Sequence, residues 1–347
     1  MSQSSRGFTF VELLITVALG SIVVSAVAVL VMNTERLART QSADVDAQQR
    51  ARVIAQTLSR ELRLAGAGVD RGPMSGPLSR SFSPVLPRRV GRTRADAADV
   101  ARSDAITLIH VPDTPLQTVL ATSDSPSSGQ IVLSSCAGGA MPCPVTRGAT
   151  LAVFEPPGRA DLVAVVSSSG GSAQVRVLGA TAGSFGAGAT VAEVVVRHYY
   201  FDSVQGQLRL YDGDNSDQPV VDGVASLTFE YFGTADPPLW PKPPLGEANC
   251  LYDQAGVWLG GPTLAASDAA LARLPLSVFK DGPWCGAGGA AFDADLLRVR
   301  RIRVVALLRA SSARDPRPDY RVAFDIAPRN LGISGAPGSP SETEPAW

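Results

Sequence analysis

From Leu13 to Thr34 the chain carries no charged side chain, a run of 22 positions. A bilayer core of ~30 Å is crossed by ~20 apolar residues in helical form, so the run predicts a membrane-spanning helix. Downstream of the run, no proline occurs until Pro73. In that stretch Ala51, Ile54, Leu58, Leu62 and Ala65 recur at i, i+3, i+7, i+11 and i+14, the stripe of an amphipathic helix. Gly66-Ala67-Gly68 then supplies a C-terminal cap. The pattern predicts one helix from Phe8 to about Ala65, roughly 85 Å long at ~1.5 Å per residue. Its first half suits lipid and its second half suits packing on a folded body.

Beyond the helix, residues 72–104 are rich in Pro, Ser, Gly and Arg without a steady period, which predicts a long loop. Arg88, Arg89, Arg92 and Arg94 make it basic, and a solvated or headgroup-facing loop is the expectation. Short β-branched runs punctuated by Gly, Pro and Ser come next. They fall at 105–111, 130–135, 149–155, 161–167, 173–179, 191–202, 207–212, 220–232, 302–311 and 320–327. Within 220–232, Val224, Leu227, Phe229 and Tyr231 largely alternate with polar or small neighbours, as in a half-buried strand. The fold class expected is α+β: a long N-terminal helical spine, transmembrane then amphipathic, packed on a large β-rich C-terminal body. No repeat period is evident, so a solenoid is not expected.

The apolar run is too long for a cleaved secretory signal, whose apolar core spans ~7–15 residues, and helix rather than a small-residue cleavage region comes after it. A plain anchor leaves Glu12 unexplained. A charge within a span costs ~2.5–3.5 kcal/mol at mid-bilayer, less near the end, and such residues are functional by default.

Arg6-Gly7-Phe8-Thr9-Phe10-Val11-Glu12-Leu13-Leu14 resembles the class III leader of type IV pilins and pseudopilins. The resemblance implies cleavage by prepilin peptidase between Gly7 and Phe8, N-methylation of Phe8, and retention of the apolar helix. Glu12 becomes the fifth residue of the mature chain. In the family's filaments the helices bundle away from water, where an unpaired charge costs several kcal/mol. Glu12 is therefore expected to accept the Phe8 amine of a neighbouring subunit and to set its register. A single Arg before the span and Arg36 and Arg39 after it give no clear orientation by charge. A body outside the cytoplasm rests on the resemblance and on the cysteines.

Two further segments are similar to PilW-type minor pilins. Leu58-Ser59-Arg60-Glu61-Leu62-Arg63-Leu64-Ala65-Gly66 looks like the segment that closes their helix. The run from Val194 to Gly233, together with Arg329-Asn330, looks like the hairpins and terminal Arg-Asn of PilW-like chains. Residues 105–190 and 234–294 carry no such likeness.

Composition narrows the alternatives. With 31 basic and 32 acidic side chains the net charge is −1, which argues against nucleic acid as an electrostatically driven partner. Apolar residues at 45% exclude disorder over the whole length. Four cysteines allow three pairings, and in an oxidising periplasm Cys136–Cys143 and Cys250–Cys285 are the favoured disulfides. The second would close a ring of about 36 residues, a contribution of ~3–4 kcal/mol without strain. Zinc is the weaker reading, since the cysteine spacing is poor and no histidine lies nearby. Asp212, Asp214, Asn215 and Asp217 offer oxygen ligands at spacings compatible with Ca²⁺, yet these residue types are also those of a hairpin turn, and no metal is assigned. Arg298, Arg300, Arg301 and Arg303 are expected on a solvated strand face. The run 236–246 reads as a stiff, polyproline-like loop with Trp240 exposed. No catalytic motif is present, the two histidines His110 and His198 lie in separate strands, and neither an enzyme nor a cofactor is expected.

These readings combine into a leader at 1–7, a transmembrane and filament-core helix at 8–33, an amphipathic helix at 34–68 and a loop at 69–104. A β-rich body occupies 105–333, with a candidate inserted subdomain at 105–190, and a disordered tail is expected at 334–347. The expected function is that of a PilW-like minor type IV pilin acting in pilus assembly, priming or tip structure. Its expected partners are prepilin peptidase, other major and minor pilins and the inner membrane. It would start as a single-pass inner-membrane protein with a periplasmic body and reach the pilus or cell surface on assembly. The alternatives are a J-type minor pseudopilin of a type II secretion system and a pilus-associated adhesin or DNA-binding pilin.

Overall fold

The computed structural model describes residues 9–71, 73–113, 116–136, 143, 145–156, 158–179, 183–260, 263–265, 271–287, 291–309 and 319–331. The expected leader, Phe8 and the expected tail at 334–347 lie outside them, as do the side chains at 36, 37, 39, 40, 42 and 43.

One helix, α1 (Phe10–Leu64), spans 55 residues, about 82 Å at ~1.5 Å per residue. Thr9 caps its N-terminus. Ala65 caps its C-terminus by donating to Glu61 O, and Gly66 is next with φ +81°, a left-handed turn that glycine adopts without strain. The segment Phe10–Glu35 is long and apolar enough to cross a membrane, and none of it is buried against the body. Burial begins at Ala47, and Ile54, Leu58 and Leu62 are fully enclosed. Each contributes ~1.5–3 kcal/mol of transfer free energy by leaving water.

The strands are, in chain order, β1 (Val85–Leu86), β2 (Ala105–His110), β3 (Gln117–Val119), β4 (Gln130–Val132), β5 (Thr150–Phe154), β6 (Ala160–Ser169), β7 (Ser172–Val177) and β8 (Thr190–Glu193). Then come β9 (Val195–Asp202), β10 (Gln207–Tyr211), β11 (Asp217–Asp222), β12 (Val224–Gly233), β13 (Ala272–Leu274), β14 (Trp284–Cys285), β15 (Phe292–Asp293), β16 (Val299–Leu308) and β17 (Tyr320–Ile326). They form a five-stranded sheet in the order β1-β2-β9-β10-β11, a four-stranded sheet β13-β12-β16-β17, a six-stranded sheet β3-β8-β5-β6-β7-β4 and the pair β14-β15. The fold is α+β, a long helix on a β-rich body.

Helix α1 lies against β2, β11, β16 and β17. Its stripe shares one core with Leu227, Phe229 and Tyr231 of β12 and Ile302, Val304 and Ala306 of β16. Phe229 faces Val304 and Tyr231 faces Ile302 in the antiparallel register, so the inward residues of the two strands stack as cross-strand pairs.

The six-stranded sheet encloses a second core of its own, built on Leu116, Ile131, Leu151, Val163, Phe185 and Val191. Its other face presents Ala152, Phe154, Leu162 and Ala192 to the main core. The sheet runs from residue 117 to 193, and strand 105–110, expected to belong to the same inserted unit, joins the first sheet instead.

Two runs expected as single strands each divide between sheets. The run 191–202 breaks at Val194 into β8 and β9, and 220–232 breaks at Gly223 into β11 and β12. Gly223 has φ +69°, and a Cβ there would collide with Arg50 Nη1 on α1. A left-handed residue under a crossing helix turns the chain from one sheet to the next, and only glycine fits without strain.

Candidate functional site

Helix α1 begins with a complete capping box. Glu12 Oε2 accepts the Thr9 N–H at 2.9 Å and the Thr9 hydroxyl at 3.0 Å, while the Glu12 N–H points at Thr9 Oγ1 at 3.4 Å. Two otherwise orphaned backbone donors are satisfied, and the carboxylate sits at the positive end of the helix dipole. Hydroxyls deeper in the span bond within the helix as well. Thr16 donates to Glu12 O and Leu13 O, Ser21 to Ala18 O, Ser25 to Ser21 O and Thr34 to Leu30 O. Such back-bonding lets hydroxyls sit in hydrocarbon. Glu12 is thus the one ionisable side chain in an otherwise self-satisfied apolar helix between Phe10 and Thr34. Gly7 and Phe8 lie outside the described residues.

The basic loop is solvated at Arg92 and Arg94, as expected, but not at Arg88 and Arg89. Arg88 is buried and donates to Ala98 O and Ala291 O; burial lowers its pKa to about 10. Arg89 pairs with Asp96 at 3.0 Å, Arg92 with Asp214 at 3.1 Å, and Arg94 with Asp217. Burial pushes the Asp96 carboxyl up, but hydrogen bonds from Arg89 and the charges of Arg89 and Arg102 more than offset it and leave the group below its ordinary value. The loop backbone is anchored too. Val90 N–H points at His198 Nδ1 at 3.3 Å, and Gly91 packs against the backbone of Gly213. Asp96, seven residues from Arg89, and Asp214 and Asp217, distant in sequence, pair with these arginines.

Those acids include the carboxylates whose spacing was compatible with Ca²⁺. Asp212 accepts the Asp214 and Ser216 N–H groups at 2.8 and 3.0 Å, a side-chain-closed turn. Asp214 takes Arg92 and Arg176, while Asp217 takes Arg94, Arg209 and the Tyr200 hydroxyl.

Of the arginines near β16, Arg303 keeps a solvated face, whereas Arg298 departs from expectation. Arg298 is fully buried and lies 2.7 Å from Asp295 Oδ1. Arg300 donates to Leu297 O at 2.7 Å. Arg301 stacks 4.5 Å over the Phe232 ring, and Arg303 forms a two-pronged pair with Asp325 at 2.7 and 2.9 Å. Strand alternation alone does not reveal partners supplied by other segments. Trp240 is half-covered rather than exposed, with the Arg80 guanidinium 5.8 Å over its ring. Cys136 is bonded to Cys143 and Cys250 to Cys285, with Cα–Cα distances of 5.1 and 5.0 Å.

Both histidines are buried. His198 is enclosed between Thr107, Val90 and Tyr211, and burial together with Arg89 lowers its pKa to about 3. Burial and Arg197 lower His110 as well.

Residues 2–28 match the family described as the prokaryotic N-terminal methylation motif. No curated protein and no solved structure matches the chain. The motif indicates a prepilin-peptidase substrate of the type IV pilin-like or pseudopilin kind.

Proposed function

We propose that this chain is a PilW-like minor pilin, cut between Gly7 and Phe8, methylated at Phe8 and built into a filament through α1. The observation that carries the reading is the capping box on a bare apolar helix inside the methylation motif. The Thr9 N–H that donates to Glu12 belongs to the peptide bond joining Phe8 to Thr9, so it survives cleavage on the other side of Phe8. The new ammonium of Phe8 arises one residue before Thr9, whose backbone N–H holds the Glu12 carboxylate. In the membrane, Thr9 satisfies Glu12 locally. In a helical bundle the carboxylate takes the ammonium of a neighbouring subunit, a charge-assisted pair whose loss leaves a buried charge unpaired.

The body supports an extracytoplasmic place through its two disulfides, which persist in oxidising compartments. A second core beside the main one makes the body bulky for a repeating shaft subunit, which favours a priming or tip role. In this reading prepilin peptidase, other major and minor pilins and the inner membrane are the partners, and the mature body faces the periplasm before reaching the pilus.

The test is incorporation into sheared fibres by Glu12→Gln, which keeps size and removes charge, and by Glu12→Ala. At ~1.4 kcal/mol per decade, loss of a buried ion pair predicts a fall of about tenfold or more at unchanged membrane levels. Incorporation of both variants at the normal level overturns the role given to Glu12.

A further inference from the structure

Three carboxylates converge where β14 meets β15. Trp284 faces Asp293 across this short pair, and a 3-10 turn, Ala294–Arg298, comes immediately after it. Asp281, Asp293 and Asp295 each place a carboxylate oxygen within 4.8 Å of the others. Asp281 is exposed, whereas Asp293 and Asp295 are each only 1% exposed.

The hydrogen bonding leaves one position open. Asp293 Oδ2 accepts the Gly282 N–H at 2.7 Å, and its Oδ1 accepts the Asp295 N–H at 2.9 Å. Both bonds fix the carboxylate in place and leave it the further lone pairs of an ionised oxygen. Asp295 Oδ1 lies 2.7 Å from Arg298 Nε, but Asp295 Oδ2 is buried and has no partner among the described residues. A buried carboxylate oxygen without a partner is destabilising by ~1–3 kcal/mol or more. Arg298 supplies one positive charge beside three carboxyl groups, two of them buried.

We propose that Asp281, Asp293 and Asp295 form a binding site for a divalent cation of the Ca²⁺ class. The donor set is all oxygen. Cys285, the nearest soft ligand in sequence, is spent in its disulfide with Cys250, so Zn²⁺ and copper are disfavoured. Carboxylate oxygens are the ligands Ca²⁺ takes, at ~2.3–2.6 Å. Mg²⁺ needs near-ideal octahedral geometry and gives up its water reluctantly, so a cluster of protein carboxylates suits it less well. Asp281 opens the site to solvent and gives the ion its entry path. The bound ion would tie the segment before β14, itself stapled to residue 250, to the turn that buries Arg298. It would thus fix the edge of the body from which β16 starts.

The site is tested on the full-length, detergent-solubilised protein. Tb³⁺ is the probe, sensitised through Trp284 on the neighbouring strand, with displacement by Ca²⁺ and the stoichiometry taken from calorimetry. One ion per chain is expected, with Ca²⁺ preferred to Mg²⁺. Asp281→Asn, a surface change that leaves the core untouched, is expected to weaken Ca²⁺ binding about tenfold or more. Asp295→Asn is expected to abolish it, and Asp214→Asn to leave it unchanged. Circular dichroism reports folding of each variant, and Asp281→Asn carries the test if Asp295→Asn fails to fold. Absence of saturable binding at millimolar Ca²⁺ overturns the proposal, as does wild-type affinity in Asp281→Asn.

Discussion

His198 makes the body sensitive to acid in a way that can be calculated. The imidazole is fully buried, with the Thr107 hydroxyl 2.6 Å and the Val90 N–H 3.3 Å from Nδ1. Burial, reinforced by Arg89 and Arg197 and opposed by Asp96, lowers its pKa from 6.5 to about 3. A folded-state pKa below the unfolded one means that the unfolded chain takes up the proton first. The stability held by the neutral ring is therefore complete above about pH 6.5 and is lost as pH falls toward about 3. Each pH unit inside that window removes ~1.4 kcal/mol. Between about pH 7 and about pH 5 the loss is about 2 kcal/mol, and this figure holds for any folded-state pKa below about 4. Urea unfolding of the full-length protein in detergent, monitored by circular dichroism at both pH values, gives the total change. The same pair of curves for His198→Gln gives the part due to all other groups. The wild type is expected to lose about 2 kcal/mol more than the variant. Equal losses would refute the reasoning, because a histidine that titrates alike in both states contributes no pH dependence.

Other changes probe the remaining joints of the fold. Leu58→Ala empties a fully enclosed position where α1 meets the sheets and is expected to cost ~2–5 kcal/mol in urea unfolding; a cost under ~1 kcal/mol would mean that the helix is not seated there. Gly223→Ala forces a left-handed residue to carry a Cβ beneath Arg50 and is expected to lower stability by ~1–3 kcal/mol, whereas Gly246→Ala, also left-handed but with open space around it, reports the backbone part alone. A gel shift with full-length protein is expected to give no DNA complex at near-physiological salt, unchanged by Arg92→Ala; a complex lost with Arg92 would restore the DNA-binding reading.

The helix is legible in the sequence because its signals are local. An uncharged run, a stripe at helical spacing and a glycine just past the end each depend on neighbours along the chain. The stripe Ala51, Ile54, Leu58, Leu62 and Ala65 is the buried face of α1. Most long strands are legible through their β-branched alternation, as in β12 and β16. The sheet switches at Val194 and Gly223 are not, because a change of sheet interrupts partners rather than periodicity. Short strands such as β1, β3 and β13 exist only because a longer neighbour offers hydrogen bonds, and two or three residues carry no period. Arg88 and Arg298, which are buried, mislead for a related reason. Arg88 donates to Ala291 O and Arg298 to Ala235 O, partners brought in by the fold, while charge runs read alone predict only solvation. At the helix start the acid at position 12 stands out by its cost in lipid. Its bond to Thr9 is also readable as a capping box, Thr-x-x-Glu ahead of an apolar run. The aspartate triad near β14 gives no signal in the sequence, since its members are spread over fifteen residues and meet only through the β14–β15 pair.

Intact-mass and N-terminal peptide analysis of the protein recovered from membranes and sheared fibres tests the central claim most directly. The account predicts a chain that begins at N-methylated Phe8 and keeps the whole of α1. A chain still starting at Met1, or a body released without the apolar helix, would contradict it.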